Sequence, residues 1–219
     1  QVAENFYESS LAIAKEINCS FCTSKGNSRL GDLNHVQGKD NLSLQYYLVA
    51  LEAISLTNNT EELAEVSRSV GLLYKNAKRN DLALEHYLKS LDGFERVNNK
   101  EKQSMLCFEI GIIYQEENEL DLALLYMKTS LGLAEKTGLK AYIKKGYENL
   151  ANVYEKNENH KLAYEYLKYY LAIKDTREIS ELEAQLDLEN KNQEIQLLNR
   201  EKQYKTQELK NKNFVTNII

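Results

Sequence analysis

The cysteines of this chain offer its most recognisable chemistry. Cys19 and Cys22 form a C-x-x-C pair, a spacing found in redox and metal sites, but no second pair follows it. With Cys107 the cysteine count is odd, which argues against a disulfide framework. We therefore interpret the pair as structural. Cys107 occupies the column of the repeat described below that otherwise holds Asn27, Ser67 and Tyr147, and we expect it to be a small buried hydrophobe.

The histidines do not suggest a catalytic site. His35, His86 and His160 stand at unrelated positions of the repeat, so we expect isolated surface residues. The sequence lacks H-E-x-x-H, G-x-S-x-G and a glycine-rich phosphate loop, as well as the phosphoacceptor and ATP-binding motifs of a kinase. We therefore predict no catalytic residue, no metal ligand and no cofactor, and expect that this chain is not an enzyme.

Composition narrows the class of protein further. The 219 residues carry a net charge of −5 with both signs interspersed, so no basic patch points to nucleic acid. No stretch reaches the roughly 18 apolar residues that a membrane-spanning helix needs. The chain has nine Gly and no Pro. Because Pro commonly interrupts loops and strand edges, its absence predicts long uninterrupted helices.

A repeat with a period of forty residues runs through most of the chain. Its first column holds a small residue: Gly31, Gly71, Gly111 and Ala151. Twelve positions later comes a second small residue: Ser43, Ala83, Ala123 and Ala163. Four positions further on stands a large one: Tyr47, Tyr87, Met127 and Leu167. The small columns let two antiparallel helices approach closely, and the large residue fills the gap against the next pair.

This pattern resembles the tetratricopeptide repeat (TPR), whose order is large, Leu, Gly and Tyr, followed by Ala, aromatic and Ala at fixed offsets. The resemblance implies an all-α fold, a right-handed TPR superhelix of antiparallel helix pairs that ends in a long C-terminal helix. Two features depart from the usual pattern: its period is 34 residues, and it has a Pro after the second helix. The longer period and the missing Pro predict helices lengthened by about a turn.

The repeat sets the expected organisation of the chain. We assign residues 1–174 to the TPR array, with a half repeat and four full repeats at 1–18, about 20–57, 59–97, 100–136 and 139–174. Helices are expected at roughly 2–18, 24–37, 40–57, 59–77, 80–97, 100–117, 120–136, 139–157 and from 160 onward. The half repeat at the start predicts that the array continues upstream of residue 1.

Residues 175–213 are charged, rich in Glu, Lys and Gln, and free of Gly and Pro, so we expect a long helix there. Its apolar residues have spacings that suit a coiled-coil seam, which would form a homodimer through Ile179, Leu182, Leu186, Ile195 and Leu198. Lys191, Lys202 and Lys205 interrupt the second seam, so any coiled coil would be weak. A solvated capping helix is the alternative.

A TPR array followed by a helix of the form "xQEIxLLxxExxxKxxELKxKN" resembles the sensor region of membrane-bound bacterial sensor histidine kinases of the Bacteroidetes type. Residues 194–198, 201 and 208–213 carry this resemblance. It implies an array on the periplasmic side of the inner membrane, with a cytoplasmic location as the alternative. It also implies that residues 214–219 begin a truncated transmembrane segment, so the membrane is reached only beyond residue 219.

The TPR resemblance also implies a concave groove lined by the first helix of each pair. Its columns fall on Lys25, Ser28, Asp32, His35, Glu65, Arg68, Leu72, Lys75, Met105, Phe108, Ile112, Gln115, Lys145, Glu148, Asn152 and Glu155. The residues that we assign to ligand binding are Arg68, Leu72, Lys75, Met105, Phe108, Ile112, Gln115, Glu148 and Asn152. Packing between helices is the alternative role, more so for Ile112 than for Phe108.

The apolar centre and charged flanks of this groove suit a peptide or protein ligand. The residues with which chaperone-binding TPR proteins grip a C-terminal carboxylate are missing, which disfavours a co-chaperone. The sequence therefore predicts a non-catalytic sensor domain of a bacterial signal-transduction receptor, part of a two-component system, that signals through its C-terminal helix. A cytoplasmic TPR peptide receptor and an assembly scaffold without signalling output are the alternatives.

Overall fold

The computed structural model describes residues 2–173, 188, 191, 195–200 and 202–203, with side chains from residue 5 onward. Contacts divide the chain into a unit Gln1–Lys168 and a second unit Tyr169–Ile219. In the second unit the described residues are helical, and Ile195 and Leu198 are more than half exposed. The other predicted dimer residues (Ile179, Leu182 and Leu186), most of 175–213 and all of 214–219 lie outside the described residues.

The described chain consists of helices joined by short turns, with no strand in the residues described. The helices are α1 Val2–Glu16, α2 Ser20–Val36, α3 Asp40–Ser55, α4 Thr60–Asn76, α5 Asn80–Arg96, α6 Lys100–Glu116, α7 Leu120–Thr137, α8 Lys140–Lys156 and α9 over residues 160–173. The closest pairs are α2 with α3, α4 with α5 and α6 with α7. The prediction of an all-α solenoid of antiparallel helix pairs is confirmed.

Most turns use a left-handed residue rather than Pro to end the preceding helix. Residues with positive φ stand at multiples of twenty positions from one another: Asn18, Gly38, Lys78, Asn98, Asn118, Gly138 and Glu158. At the α4–α5 turn, Arg79 N–H donates to the Tyr74 carbonyl at 2.9 Å and Lys78 N–H to the Lys75 carbonyl at 2.9 Å. This is the Schellman pattern, which satisfies carbonyls that would otherwise lack a donor at a helix end.

The α3–α4 turn is built differently. The Thr57 hydroxyl and backbone N–H both donate to the Ile54 carbonyl, at 2.8 and 2.9 Å. The next helix begins after Asn59, whose side chain accepts a hydrogen bond from Glu62 N–H at 3.0 Å. A side-chain cap on each side of the turn therefore takes over the role that a left-handed residue has elsewhere.

The cysteine pair lies at the start of α2, and here two expectations were wrong. Cys19 and Cys22 are joined by a disulfide, so the odd cysteine count was a poor guide to this pair. Helix α2 begins at Ser20 rather than near residue 24, because Cys19 acts as its N-cap: Cys22 N–H donates to Cys19 Sγ at 3.2 Å. Cys107 is a free thiol and 2% exposed, as expected, and burial raises its pKa to about 12.

The small residues of the repeat lie where paired helices approach most closely. A Cβ atom on Gly71 would lie 2.6 Å from Cδ1 of Tyr87, and Tyr87 is itself 1% exposed. Hydroxyl groups bind backbone across the same pairs, because Ser90 donates to the Ala64 carbonyl at 2.7 Å and Ser43 to the Gly31 carbonyl at 2.8 Å. Because these buried hydroxyls are hydrogen-bonded, their burial costs little free energy. Each bond also fixes the register of its helix pair.

We expect Gly71→Ala to lower the free energy of unfolding by about 1–3 kcal/mol, because the added methyl overpacks a site whose neighbour cannot move. Gly132 in α7 is the matched control, since a Cβ there would meet nothing within 4 Å. Gly132→Ala should raise stability by about 0.5–1 kcal/mol through its better helix propensity. Chemical denaturation measures both changes. Equal effects at the two positions would contradict the packing account.

We expect Lys78→Gly to raise the free energy of unfolding by about 0.5–1 kcal/mol, because Gly adopts the left-handed conformation without the steric penalty of a Cβ. The control is Lys89→Gly in the middle of α5, which should lower stability by about 1 kcal/mol. Both are measured by urea denaturation. A destabilised Lys78→Gly variant would show that the turn does not hold a left-handed residue.

Candidate ligand groove

The first helices of successive pairs are joined by ion pairs on one face. Lys25 of α2 pairs with Glu62 of α4. Lys102 of α6 reaches back to α4, with its Nζ 2.7 Å from Oε1 of Glu65. These two pairs, together with Lys75 Nζ and Glu109 Oε2 at 2.5 Å, define what we call the ion-pair face. This face runs across α2, α4 and α6, three of the four helices that the sequence assigned to the groove.

A cleft of about 290 Å³ opens in this face between α2 and α4. Its lining is mostly polar and consists of Lys25, Ser28, Arg29, Asp32, Tyr47, Glu62, Glu65, Val66, Arg68 and Ser69. At its floor the Tyr47 hydroxyl donates to Oδ1 of Asp32 at 2.5 Å. Burial, and next the bond to the Asp32 carboxylate, raise the pKa of Tyr47 well above its usual range, so this hydroxyl is a donor at every physiological pH.

Glu65 is a carboxylate of the cleft that pairs with two cations. It accepts from Lys102 at 2.7 Å and from Nε of Arg68 at 3.1 Å. Burial by itself would raise its pKa, but the hydrogen bond from Lys102 and the charges of Arg68 and Lys102 outweigh burial and hold the pKa below the ordinary value. Glu65 therefore stays ionised and holds two cations beside the cleft.

Aromatic residues continue this surface from α6 to α8. Phe108 and Tyr142 meet edge to face, with ring centroids 5.7 Å apart. The Nζ atom of Lys145 lies 5.7 Å from the Phe108 centroid and 5.5 Å from the Tyr142 centroid, within cation–π range. Burial, and then the nearby Glu109 carboxylate, raise the pKa of Tyr142. A cation of the protein thus covers the aromatic end of the groove.

The remaining residues assigned to ligand binding are spread along the same helices. Arg68 lies in the cleft and Lys75 in the ion-pair face, whereas Glu148 and Asn152 on α8 are exposed. Residues that are partly buried are Leu72, Met105, Ile112 and Gln115. The structure thus brings Arg68 and Lys75 into one polar surface, and the ligand contacts of the whole set stay a prediction.

Phe108 and Ile112 reverse the order that we expected from the sequence. Phe108 is 7% exposed, so it packs between helices. Ile112 is only partly buried, against the cluster that includes Leu150 and Val153. Both residues take part in packing, but Phe108 is the more enclosed because Tyr142 and Lys145 of α8 cover it.

Sequence reasoning missed several residues of this surface: Arg29, Tyr47, Glu62, Val66, Ser69, Lys102, Glu109 and Tyr142. Tyr47 belongs to a second helix and was assigned to packing, yet its hydroxyl reaches the cleft. Lys102 pairs with a residue 37 positions earlier, a distance at which charge pairing leaves no periodic signal. Lys102 precedes Met105, a predicted groove residue, by about one turn of helix. This spacing was the only indication in the sequence that Lys102 could lie on the same face.

The histidines occupy two kinds of environment. His35 lies 2.8 Å from Asp40 and His160 lies 3.1 Å from Glu155, both on the surface. His86 is partly buried and stacks on Tyr74 at 5.6 Å, so the expectation of a surface residue was wrong for it. Burial lowers the pKa of His86. Among the described residues no three His, Cys, Asp or Glu side chains come together as a metal site.

Comparison with known proteins identifies the fold. No protein-family model and no curated protein matches this chain. BtubC from P. vanneervenii is 18% identical with a TM-score of 0.74, over 80% of this chain and 73% of that one. A kinesin light chain with TPR-like repeats from Podosopora anserina is 14% identical with a TM-score of 0.65, over 80% and 86%.

A third structure is the Rap conjugation gene regulator of plasmid pLS20 in complex with the Phr* peptide. It is 19% identical with a TM-score of 0.58, over 73% of this chain and 44% of that one. This chain therefore spans less than half of the regulator. At such identities the likeness concerns the fold alone, which is a TPR-like solenoid in all of these comparisons. Among the described residues, no helix is both long and apolar enough to cross a membrane.

The pairing of Glu65 predicts a pH-dependent stability. We expect Glu65→Gln to lower the free energy of unfolding at pH 7 by about 1 kcal/mol, because Lys102 and Arg68 lose their shared partner. Since the folded-state pKa of Glu65 is lowered, its contribution is present above the unfolded pKa and disappears as pH falls through the folded pKa.

The difference between wild type and Glu65→Gln should therefore vanish in acid, below the ordinary glutamate pKa of 4.5. Denaturation at a series of pH values measures it. Glu52→Gln, at an exposed position of α3, is the matched control and should change stability little at any pH. A constant Glu65→Gln difference from pH 7 to pH 3 would contradict the ion-pair account.

Proposed function

We propose that this chain is a non-catalytic interaction domain of a bacterial signal-transduction receptor, and that it binds a peptide or protein ligand along the ion-pair face. The observation that carries the proposal is the cleft between α2 and α4, continued along the face by half-buried Leu72 and Met105. Polar groups that bind backbone and carboxylate atoms thus adjoin apolar side chains that can anchor a ligand.

The signalling part of the proposal has separate support. In the second unit, Ile195, Leu197 and Leu198 expose apolar surface along a helix, 55–61% each, which suits a helix that pairs with a second copy. The sequence resemblance to histidine kinase sensors supports a role for this helix in passing the signal. Ligand binding would then shift the array and, through the helix, an output domain.

The Cys19–Cys22 disulfide supports a periplasmic location, because disulfides persist in oxidising compartments and are rare in the cytosol. The alternative is a cytoplasmic peptide receptor. It is favoured by the likeness in fold to the Rap regulator, a protein whose structure is a complex with the Phr* peptide. A scaffold that assembles proteins without a signalling output is a further alternative. The proposed function and both alternatives require the same ligand-binding face.

The binding face can be tested with a random library of twelve-residue peptides carrying acetylated N-termini and amidated C-termini. We expect the wild-type chain to enrich a family of peptides. Met105→Lys should weaken their binding by about tenfold or more, because a charge replaces an apolar anchor. The matched control is Leu125→Lys on α7, where the wild-type side chain is 58% exposed. Isothermal titration with the enriched peptides measures both.

Binding to the Leu125→Lys variant should stay within about twofold of wild type. Thermal unfolding of both variants shows whether they fold, and Leu72→Lys is a second variant of the same face. The proposal fails if the library yields no enriched peptide, or if the control weakens binding as much as Met105→Lys does.

A further inference from the structure

The charges around the α2–α4 cleft do not balance. The lining has three cations, Lys25, Arg29 and Arg68, and three carboxylates, Asp32, Glu62 and Glu65. Lys102 lies outside the lining and adds a fourth cation through its pair with Glu65. Each carboxylate already has a partner within the protein: Lys25 for Glu62, Arg29 for Asp32, and both Lys102 and Arg68 for Glu65. The cations around the cleft therefore exceed the carboxylates by one. This excess positive charge lies at Arg68 and Lys102, because the two cations share the single carboxylate of Glu65.

Arg68 has donors to spare, as does Arg29, but Arg68 is the more enclosed of the two, with a side chain 31% exposed against 58%. It binds Glu65 through Nε, and its two terminal nitrogens make no hydrogen bond to any described residue. Its side chain lines the cleft. A guanidinium with one edge occupied still presents paired N–H groups on its other edge, a geometry that matches a carboxylate.

A second unused group lines the same cleft. The hydroxyl oxygen of Ser28, on α2, is buried and has no hydrogen-bond partner. A buried hydroxyl without a partner is costly, and a ligand oxygen in the cleft would satisfy it. The cleft thus offers one surplus positive charge, a free guanidinium edge and one unused hydroxyl.

We propose that this cleft binds the side-chain carboxylate of an Asp or Glu residue of the ligand, with Arg68 as its principal partner and Ser28 as a second donor. A single negative charge matches the surplus of one, whereas a phosphate would bring close to two. A side chain is preferred to a chain terminus because the face continues past the cleft toward Leu72 and Met105, so the ligand backbone can run on in that direction. This inference rests on the proposed function.

The test uses the same library, whose capped ends leave side chains as the only carboxylates. Peptides enriched by the wild-type chain should carry an Asp or Glu at a fixed position. Changing that residue to Asn or Gln should weaken binding to wild type by about tenfold or more. Neutralising the acidic residue should weaken binding to Arg68→Gln by less than about twofold, because this variant already lacks the guanidinium that binds the carboxylate. With Arg68→Lys the loss of affinity on neutralising the acidic residue should fall between these two values. Lys keeps the positive charge but lacks the paired N–H groups of the guanidinium.

Arg96→Gln is the matched control, because Arg96 is exposed on α5 and pairs with Asp92. This variant should keep the full preference for the acidic residue. The inference is overturned if enriched peptides show no acidic position, or if neutralising it costs the same with Arg68→Gln as with wild type. Peptides that bind without an acidic preference would leave the proposed function standing, whereas the absence of any enriched peptide would remove both. Thermal unfolding confirms that Arg68→Gln is folded.

Discussion

The close approach of two helices at a glycine is the constraint on which the rest of this structure depends. Gly31 lets the ring of Tyr47 lie against the backbone of α2. The same ring, buried in the core, carries its hydroxyl out to Asp32 in the cleft. A residue that the repeat requires for packing therefore also shapes the polar surface. In the next repeat Tyr87 fits over Gly71 in the same way, whereas Met127 over Gly111 has no hydroxyl to offer. The core thus sets where along the array a polar cleft can form.

Charges, rather than apolar contacts, dominate the face where the first helices meet. The pairs Lys102–Glu65 and Lys75–Glu109 are partly exposed, and pairs of this kind contribute little stability each. In the pair Lys25–Glu62 the carboxylate is buried. The physical effect of these pairs is on position, because every pair joins neighbouring repeats and holds two side chains in a defined place. Such pairs weaken as salt rises. The curvature of this face therefore depends on ionic conditions more than the packing of each helix pair does.

The sequence predicted the fold because the signals for it are local and periodic. Gly31, Tyr47 and their equivalents forty residues on identify the helix pairs, and helix type follows from the absence of Pro. The start of α2 was misplaced because a disulfide-bonded cysteine is an unusual N-cap, and no pattern of side chains indicates it. The residues of the candidate site were harder to predict from the sequence. Lys102 meets Glu65 only because two repeats stack, and the burial of Phe108 depends on Tyr142, a residue of the following repeat. Contacts between repeats depend on the superhelix, which a single repeat does not encode.

The left-handed turn residues, from Asn18 to Glu158, recur at multiples of twenty positions, so the turns within and between repeats share a left-handed residue, except at α3–α4. Only the residues on the helix faces distinguish a first helix from a second. During evolution, the duplication or loss of forty residues preserves the alternation of the two faces and leaves a continuous core. A change of twenty residues keeps every turn intact, but it places two glycine-bearing helices side by side with no large side chain between them. Arrays of this kind therefore evolve in whole pairs, although their backbone alone would permit half steps.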